Sequence, residues 1–230
     1  MIRPKIFIAC DTVSSNKINK IIKISRSSKL RISYKIGLEF FLSPKGRSFI
    51  SKIKGEEIFL DLKLNDIPNT AVSALNAIKD LKNIRYLTIH ANGGLEMISN
   101  IKKVAKKNNK KLKILAVTVL TSFNEKSIKQ IGYSKKIKEI VIKQSKLAEK
   151  AKLDGIVCSA HEIKFIKKIS KKMEIITPGI RMIKEKFDDQ KRVVTPLEAF
   201  KKGATGIVVG RSVTKGEIKK NFAKLLNHLS

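Results

Sequence analysis

The 230-residue chain carries 50 Lys and Arg against 19 Asp and Glu, a formal charge of +31, and is 42% hydrophobic and 30% charged. That balance is globular, the length suits one large α/β domain or two small ones, and no apolar run is long enough to span a bilayer. The charge invites a nucleic-acid partner, but the excess is nearly all lysine, it is spread over many helical segments, and no tryptophan or interleaved aromatic residue offers a stacking platform; a solvated lysine surface is expected instead.

Met1-Ile-Arg-Pro-Lys5 leads straight into Ile6-Phe-Ile-Ala-Cys10, a run too short for the core of a secretory signal. Short apolar runs then alternate with longer amphipathic stretches. The pattern predicts strands over 5–10, 32–36, 58–64, 86–90, 112–120, 155–158, 174–177 and 206–209. Between them, apolar residues at three- and four-residue spacing predict helices over 71–81, 95–107, 137–151, 163–169 and 218–229. Pro68 suits a helical first turn. Thr195-Pro-Leu-Glu198 reads as an N-cap, a proline at the first helical position and an acidic first turn, with Gly203 closing that helix. The segment 121–134 is expected to be a loop with a short helix. Cys10 and Cys158 each end an apolar run, so buried free thiols in a reducing, cytoplasmic setting are expected.

Eight β-then-α units without a linker predict one (β/α)8 barrel over 1–230. An open doubly wound sheet would carry a glycine-rich first turn, and here that turn is Asp11-Thr-Val-Ser-Ser15. On the barrel frame, the unusual polar residues all fall at C-terminal strand ends: Asp11, Lys35, Asp61 with Lys63, His90, Thr121, Ser159, Pro178-Gly179 and Gly210-Arg211. Those ends converge on one mouth, where barrel active sites lie. Each has an ordinary alternative: Asp11 as a helix cap, Lys35 paired with Glu39, His90 as a bonded core histidine, Thr121 and Ser159 as caps or loop residues. In Ile58-Phe-Leu-Asp-Leu-Lys-Leu-Asn-Asp-Ile-Pro-Asn-Thr70, alternation puts Phe59, Asp61 and Lys63 on one strand face. Opposite charges on such a face are rarely packing material, so a functional role is expected there. Gly210-Arg211 after the last strand suits a phosphate site, and the polar segment between Gly179 and Gln190 suits a lid over it. No His or Cys spacing typical of metal ligands occurs.

Asp61-Leu-Lys-Leu-Asn-Asp-Ile-Pro-Asn-Thr70 resembles the signature of the orotidine 5′-phosphate decarboxylases. Lys35-Ile-Gly37, Ala116-Val-Thr-Val-Leu-Thr-Ser122, Asp154-Gly-Ile-Val-Cys-Ser159, Thr177-Pro-Gly-Ile-Arg181, Asp189-Gln190 and Gly210-Arg-Ser-Val-Thr214 extend the likeness to the bacterial form over nearly the whole chain. The resemblance implies a homodimer with shared active sites, a nucleotide substrate and no metal or cofactor. It implies that Lys63 gives a proton to C6 of the pyrimidine, that Asp61 sits against the substrate carboxylate, and that Lys35 and Asp66 complete an alternating array, Asp66 coming from the partner subunit. It also implies that Asp11 and Lys35 hold the ribose with the partner's Thr70, that Thr121 lies near the base, and that Arg181, Gln190, Gly210 and Arg211 bind the phosphate; Ile67 and Pro178 are counted with the substrate contacts. The departures, Cys10, Asn92 and the loop 182–188, remove none of these groups. The alternative is a magnesium-dependent sugar-phosphate decarboxylase or aldolase, which shares the Asp-x-Lys-x-x-Asp element but not Ile67-Pro-Asn-Thr70 or Gln190.

Overall fold

Residues 5–9, Lys-Ile-Phe-Ile-Ala, are buried at every position, and such a run is at home in a parallel sheet covered on both faces. The computed structural model describes residues 5–28, 30–182 and 193–229. In it β1 (Lys5–Ala9), β2 (Arg31–Gly37), β3 (Ile58–Leu64), β4 (Ile84–His90), β5 (Lys113–Val117), β6 (Gly155–Val157), β7 (Glu174–Thr177) and β8 (Gly206–Val209) form a closed barrel in chain order. All neighbours are parallel, and β8 returns to β1 with Ile6 opposite Ile207. The helices are α1 (Ser15–Ser25), α2 (Leu38–Phe41), α3 (Gly46–Lys52), α4 (Pro68–Ala77), α5 (Gly94–Asn108), α6 (Glu125–Gln130), α7 (Ile137–Lys150), α8 (Ile163–Ile169), α9 (Pro196–Lys202), α10 (Arg211–Thr214) and α11 (Ile218–Leu229). The expected (β/α)8 barrel is the observed fold.

Two apolar layers follow from strand alternation. Phe7, Ala9, Phe59, Tyr86, Leu115, Ile176 and Val208 fill the barrel interior. Phe7 meets the Phe59 ring edge-on at 5.0 Å and the Tyr86 ring at 5.1 Å, a favourable aromatic geometry. The outward strand residues, such as Ile6, Ile36 and Ile207, pack against the apolar stripes of the helices. Below the aromatic rings, Lys5 donates to the Tyr86 hydroxyl, which donates to Glu174 at 3.1 Å, and Lys113 pairs with the same carboxylate.

Local signals explain the helix ends. At α9, Thr195 accepts from the Glu198 N–H at 3.3 Å and Glu198 accepts from the Thr195 N–H at 2.8 Å, a reciprocal cap. Gly203 ends that helix at φ 103°, where a side chain would be strained. Most expected boundaries hold to within two residues, and two move further. β5 stops at Val117 rather than running to residue 120, and the helix expected over 71–81 spans Pro68–Ala77. Pro68 sets the helical φ at the first position, so the helix starts earlier than its apolar stripe. The loop after β5 contains α6 as expected, and both cysteines are free and buried. Among the described residues no helix is long and apolar enough to cross a membrane.

Candidate active site

The mouth is organised by an irregularity in β3. Leu60 pairs with Leu87 of β4, but the next registered pair is Leu64 with Ile89. β3 thus advances four residues while β4 advances two, and the surplus bulges out of the ladder. Bulges re-aim side chains, and the surplus here includes Asp61 and Lys63. Lys63 has φ 50°, a left-handed conformation that costs a side-chain-bearing residue on the order of 1 kcal/mol. Its N–H donates to Thr88 Oγ1 at 2.9 Å, and the Thr88 hydroxyl donates to Asp61 Oδ1 at 2.8 Å.

Asp61 is 8% exposed. Its Oδ2 accepts from Lys63 Nζ at 2.8 Å and lies 3.4 Å from Lys35 Nζ. Lys35 in turn donates to Asp11 Oδ1 at 2.9 Å. The result is a chain of alternating charge, Asp11–Lys35–Asp61–Lys63, across the ends of β1, β2 and β3. Burial alone would raise the Asp61 carboxyl, but the charges of Lys35 and Lys63 and the hydrogen bonds it accepts from Lys63 and Thr88 hold it below the usual carboxylate range. Burial would likewise depress Lys35, and Asp61 and Asp11 outweigh it, so its ammonium sits above the ordinary lysine value. His90 is pushed down by burial and by Lys63, against Asp61, and stays neutral at pH 7.

This array lines a cavity of about 440 Å³. Thr121, Pro178, Arg181, Gly210 and Arg211 line it too, as do the array residues Asp11, Lys35, Asp61 and Lys63. In an eight-strand ring β7 stands across from β3, so Arg181 after β7 lies on the side opposite Asp61 and Lys63, while Arg211 after β8 lies beside the Asp11 end of the array. Arg181 is buried, with Nη2 unpartnered among the described residues. A buried guanidinium with an open donor awaits an anion. Phe59, Val117, Val157 and Val208 form an apolar part of the wall.

Two ordinary alternatives give way. Asp11 does not cap α1: Ser14 does, accepting from the Lys17 N–H at 3.2 Å. Lys35 pairs with Asp11 and Asp61 rather than with Glu39. Ser159 keeps its local role, donating its N–H to Glu162 at 2.9 Å. Asp66, Ile67 and Thr70 lie past the end of β3, exposed at the rim and away from the cavity lining of their own chain. Asp66 accepts from the Ile67 N–H at 2.7 Å, and Ile67 is 67% exposed. Gln190 lies outside the described residues. Sequence reasoning missed Thr88, because a threonine in a strand reads as a β-former. The signal was Asp61: a buried carboxylate needs more partners than two lysines, and Thr88 shares the inward face of β4 with Tyr86 and His90.

A closed (β/α)8 barrel with a buried lysine–aspartate array at its C-terminal mouth defines a barrel enzyme acting on an anionic ligand. The model of the orotidine 5′-phosphate decarboxylase / HUMPS family matches residues 4–224, and the chain belongs to that family. It is 42% identical over 222 residues to the orotidine 5′-phosphate decarboxylase of Buchnera aphidicola subsp. Acyrthosiphon pisum, covering 94% of this chain and 92% of the relative. It is 37% identical over 231 residues to that of Fusobacterium nucleatum, covering 99% and 96%. The crystal structure of orotidine 5′-phosphate decarboxylase from Lactobacillus acidophilus superposes with a TM-score of 0.82 at 29% identity, covering 99% of both chains.

Proposed function

We propose that the protein decarboxylates orotidine 5′-phosphate to UMP, the last step of de novo pyrimidine nucleotide synthesis. The observation that carries this reading is the buried Asp61 carboxylate, held between two ammoniums on the floor of a cavity that Arg181 and Arg211 also line. The substrate has matching ends: a carboxylate on the pyrimidine and a phosphate on the ribose. With the phosphate on Arg181, Arg211 and Gly210, and Gln190 added from the loop, the pyrimidine reaches the array. Thr121 and Pro178 flank the base, and Asp11 and Lys35 hold the ribose hydroxyls.

The reaction breaks the bond between C6 and its carboxylate. Carbon dioxide leaves, the electron pair stays on C6, and the Lys63 ammonium gives that carbon a proton, which solvent then restores to Lys63. A fixed ammonium beside C6 stabilises the developing negative charge without reorganising water. Asp61, kept ionised by its neighbours, opposes the substrate carboxylate in the ground state and not once carbon dioxide has formed. Binding energy from the remote phosphate offsets that repulsion. The donor set requires no metal for these steps.

The active form in this reading is a homodimer in the cytoplasm, a compartment favoured by two free buried thiols. Exposed Asp66, Ile67 and Thr70 would then complete the partner's cavity, Asp66 as the second carboxylate beside Lys63 and Thr70 at the ribose. Purified protein is expected to consume orotidine 5′-phosphate, followed by loss of pyrimidine absorbance, equally well with EDTA present. No turnover would sink the reading; EDTA-sensitive turnover of a sugar phosphate in its place would point to the magnesium-dependent branch of the fold. Asp66→Ala and Lys63→Ala proteins, each inactive, should regain activity when mixed. Failure after demonstrated subunit exchange would remove the shared site.

A further inference from the structure

The geometry points to Thr88 as the positioning residue of the reaction, acting through one hydroxyl that fixes both the Asp61 carboxylate and the Lys63 backbone. This rests on the decarboxylase reading given above, since it concerns the two groups placed against the reacting carbon.

Thr88 is fully buried, on the inward face of β4 between Tyr86 and His90. Its Oγ1 is used in both directions. It accepts from the Lys63 N–H at 2.9 Å and donates to Asp61 Oδ1 at 2.8 Å. A hydroxyl has one proton and two lone pairs, so this pairing settles the orientation of the O–H. The acceptor bond falls inside the β3 bulge, where the regular β3–β4 ladder is interrupted between Leu60 and Leu64. Thr88 therefore supplies the β4-side partner that the backbone no longer provides, at the one residue of β3 held at positive φ. The donor bond occupies Asp61 Oδ1 and leaves Oδ2 for Lys63 and Lys35. Rotation of the carboxylate would break the Thr88 bond and move the acceptor of both ammoniums at once. One side chain thus couples the left-handed turn that aims Lys63 to the carboxylate that holds its ammonium. The positive φ is kept because the surroundings over-determine it.

The test compares the wild type with Thr88→Val, which keeps the shape and deletes the hydroxyl, and Thr88→Ser, which keeps the hydroxyl and deletes the methyl. Thr88→Val is expected to lower kcat about tenfold to hundredfold, the cost of misplacing reacting groups by a fraction of an ångström to an ångström. KM should change less than kcat, because the phosphate contacts are untouched and Lys35 keeps its bond to Asp11. Thr88→Ser should return to within about threefold of wild type, as an oriented hydroxyl is all that the role requires. A crystal structure of Thr88→Val should show Lys63 out of positive φ or Asp61 rotated. A wild-type-like kcat in Thr88→Val, or Thr88→Ser as slow as Thr88→Val, overturns the proposal. So does a Thr88→Val crystal structure with Lys63 and Asp61 unmoved, a result that stands even if the wild type proves inactive and the decarboxylase reading fails. Should Thr88→Val not fold, Thr88→Ala decides by the same criteria.

Discussion

The barrel interior ends in buried charge twice, and the two ends differ in what those charges have left to do. At the base, Lys5 and Lys113 converge with the Tyr86 hydroxyl on Glu174. All four residues sit in strands, Tyr86 just past a one-residue register shift between β3 and β4, and the cluster caps the aromatic plug formed by Phe7, Phe59 and Tyr86. Burial, with Glu174 against it, leaves Lys5 below the ordinary lysine value, and burial with Glu174 pushes the Tyr86 phenol well above its own. At the mouth, Asp61 also collects two lysines and a hydroxyl. There the strand bulges, Lys63 is strained, and the array borders a 440 Å³ cavity. The same polar chemistry closes a floor at one end and equips a site at the other. What separates them is the left-handed backbone at Lys63 and an adjoining cavity, not the presence of charge. In barrels the N-terminal face serves stability and the C-terminal face chemistry.

The widest separation between the two ends should come from Lys63→Ala. Removing the proposed proton donor is expected to cut kcat at least about a thousandfold. The melting temperature should move by no more than about 2 °C, since the Lys63 side chain is 34% exposed and its ion pair contributes little to stability. Turnover assays beside calorimetry check both halves. A near-normal kcat would remove the proposed donor; a large loss of stability would show that the mouth array holds the fold as the base does.

The converse variant is Glu174→Ala. It strands Lys5, Lys113 and the Tyr86 hydroxyl around a missing acceptor. Lys113 can turn to solvent and Lys5 cannot, so a loss of about 2 kcal/mol is expected, or roughly 4–8 °C in melting temperature for a chain of this size. kcat/KM should stay within about threefold of wild type. Urea unfolding and steady-state kinetics on one preparation would settle it. A loss of activity at unchanged stability would break the division between the ends.

The base and the mouth were not equally legible in the sequence. Every strand could be found because each is an apolar run buried on both sides, and Asp61 and Lys63 stood out as charges inside such a run. Their bulge could not be found. Leu-Lys-Leu has the alternation of a regular strand, and only the register against β4 reveals the surplus residues. Lys5, Tyr86, Lys113 and Glu174 lie in four different strands, and nothing local distinguishes them from surface residues flanking a strand. Asp11 read as a helix cap as readily as a site residue until Ser14 was seen to do the capping. Asp66, Ile67 and Thr70 were legible only through family resemblance, because one chain leaves them facing outward.

The smallest expected effect is in acid, and it tests the electrostatic half of the comparison. Asp61 has its folded-state pKa below the unfolded value of about 3.9. A depressed carboxyl contributes stability that is fully present above its unfolded pKa and is lost as pH falls through the folded pKa. Asp61→Asn has no such proton to take up. The stability gap between wild type and Asp61→Asn should therefore be constant from pH 7 down to about pH 5 and should narrow below about pH 4. Urea midpoints of both proteins at pH 7, 5, 4 and 3 measure it. A gap that holds unchanged to pH 3 would mean that the folded pKa is no lower than the unfolded one, a carboxylate the lysines do not stabilise. Wild type the less stable of the two at pH 7 would mean that desolvating Asp61 outweighs Lys35, Lys63 and Thr88 together. The mouth would then differ from the base in a further respect: its buried carboxylate would be retained for chemistry at a net cost to the fold.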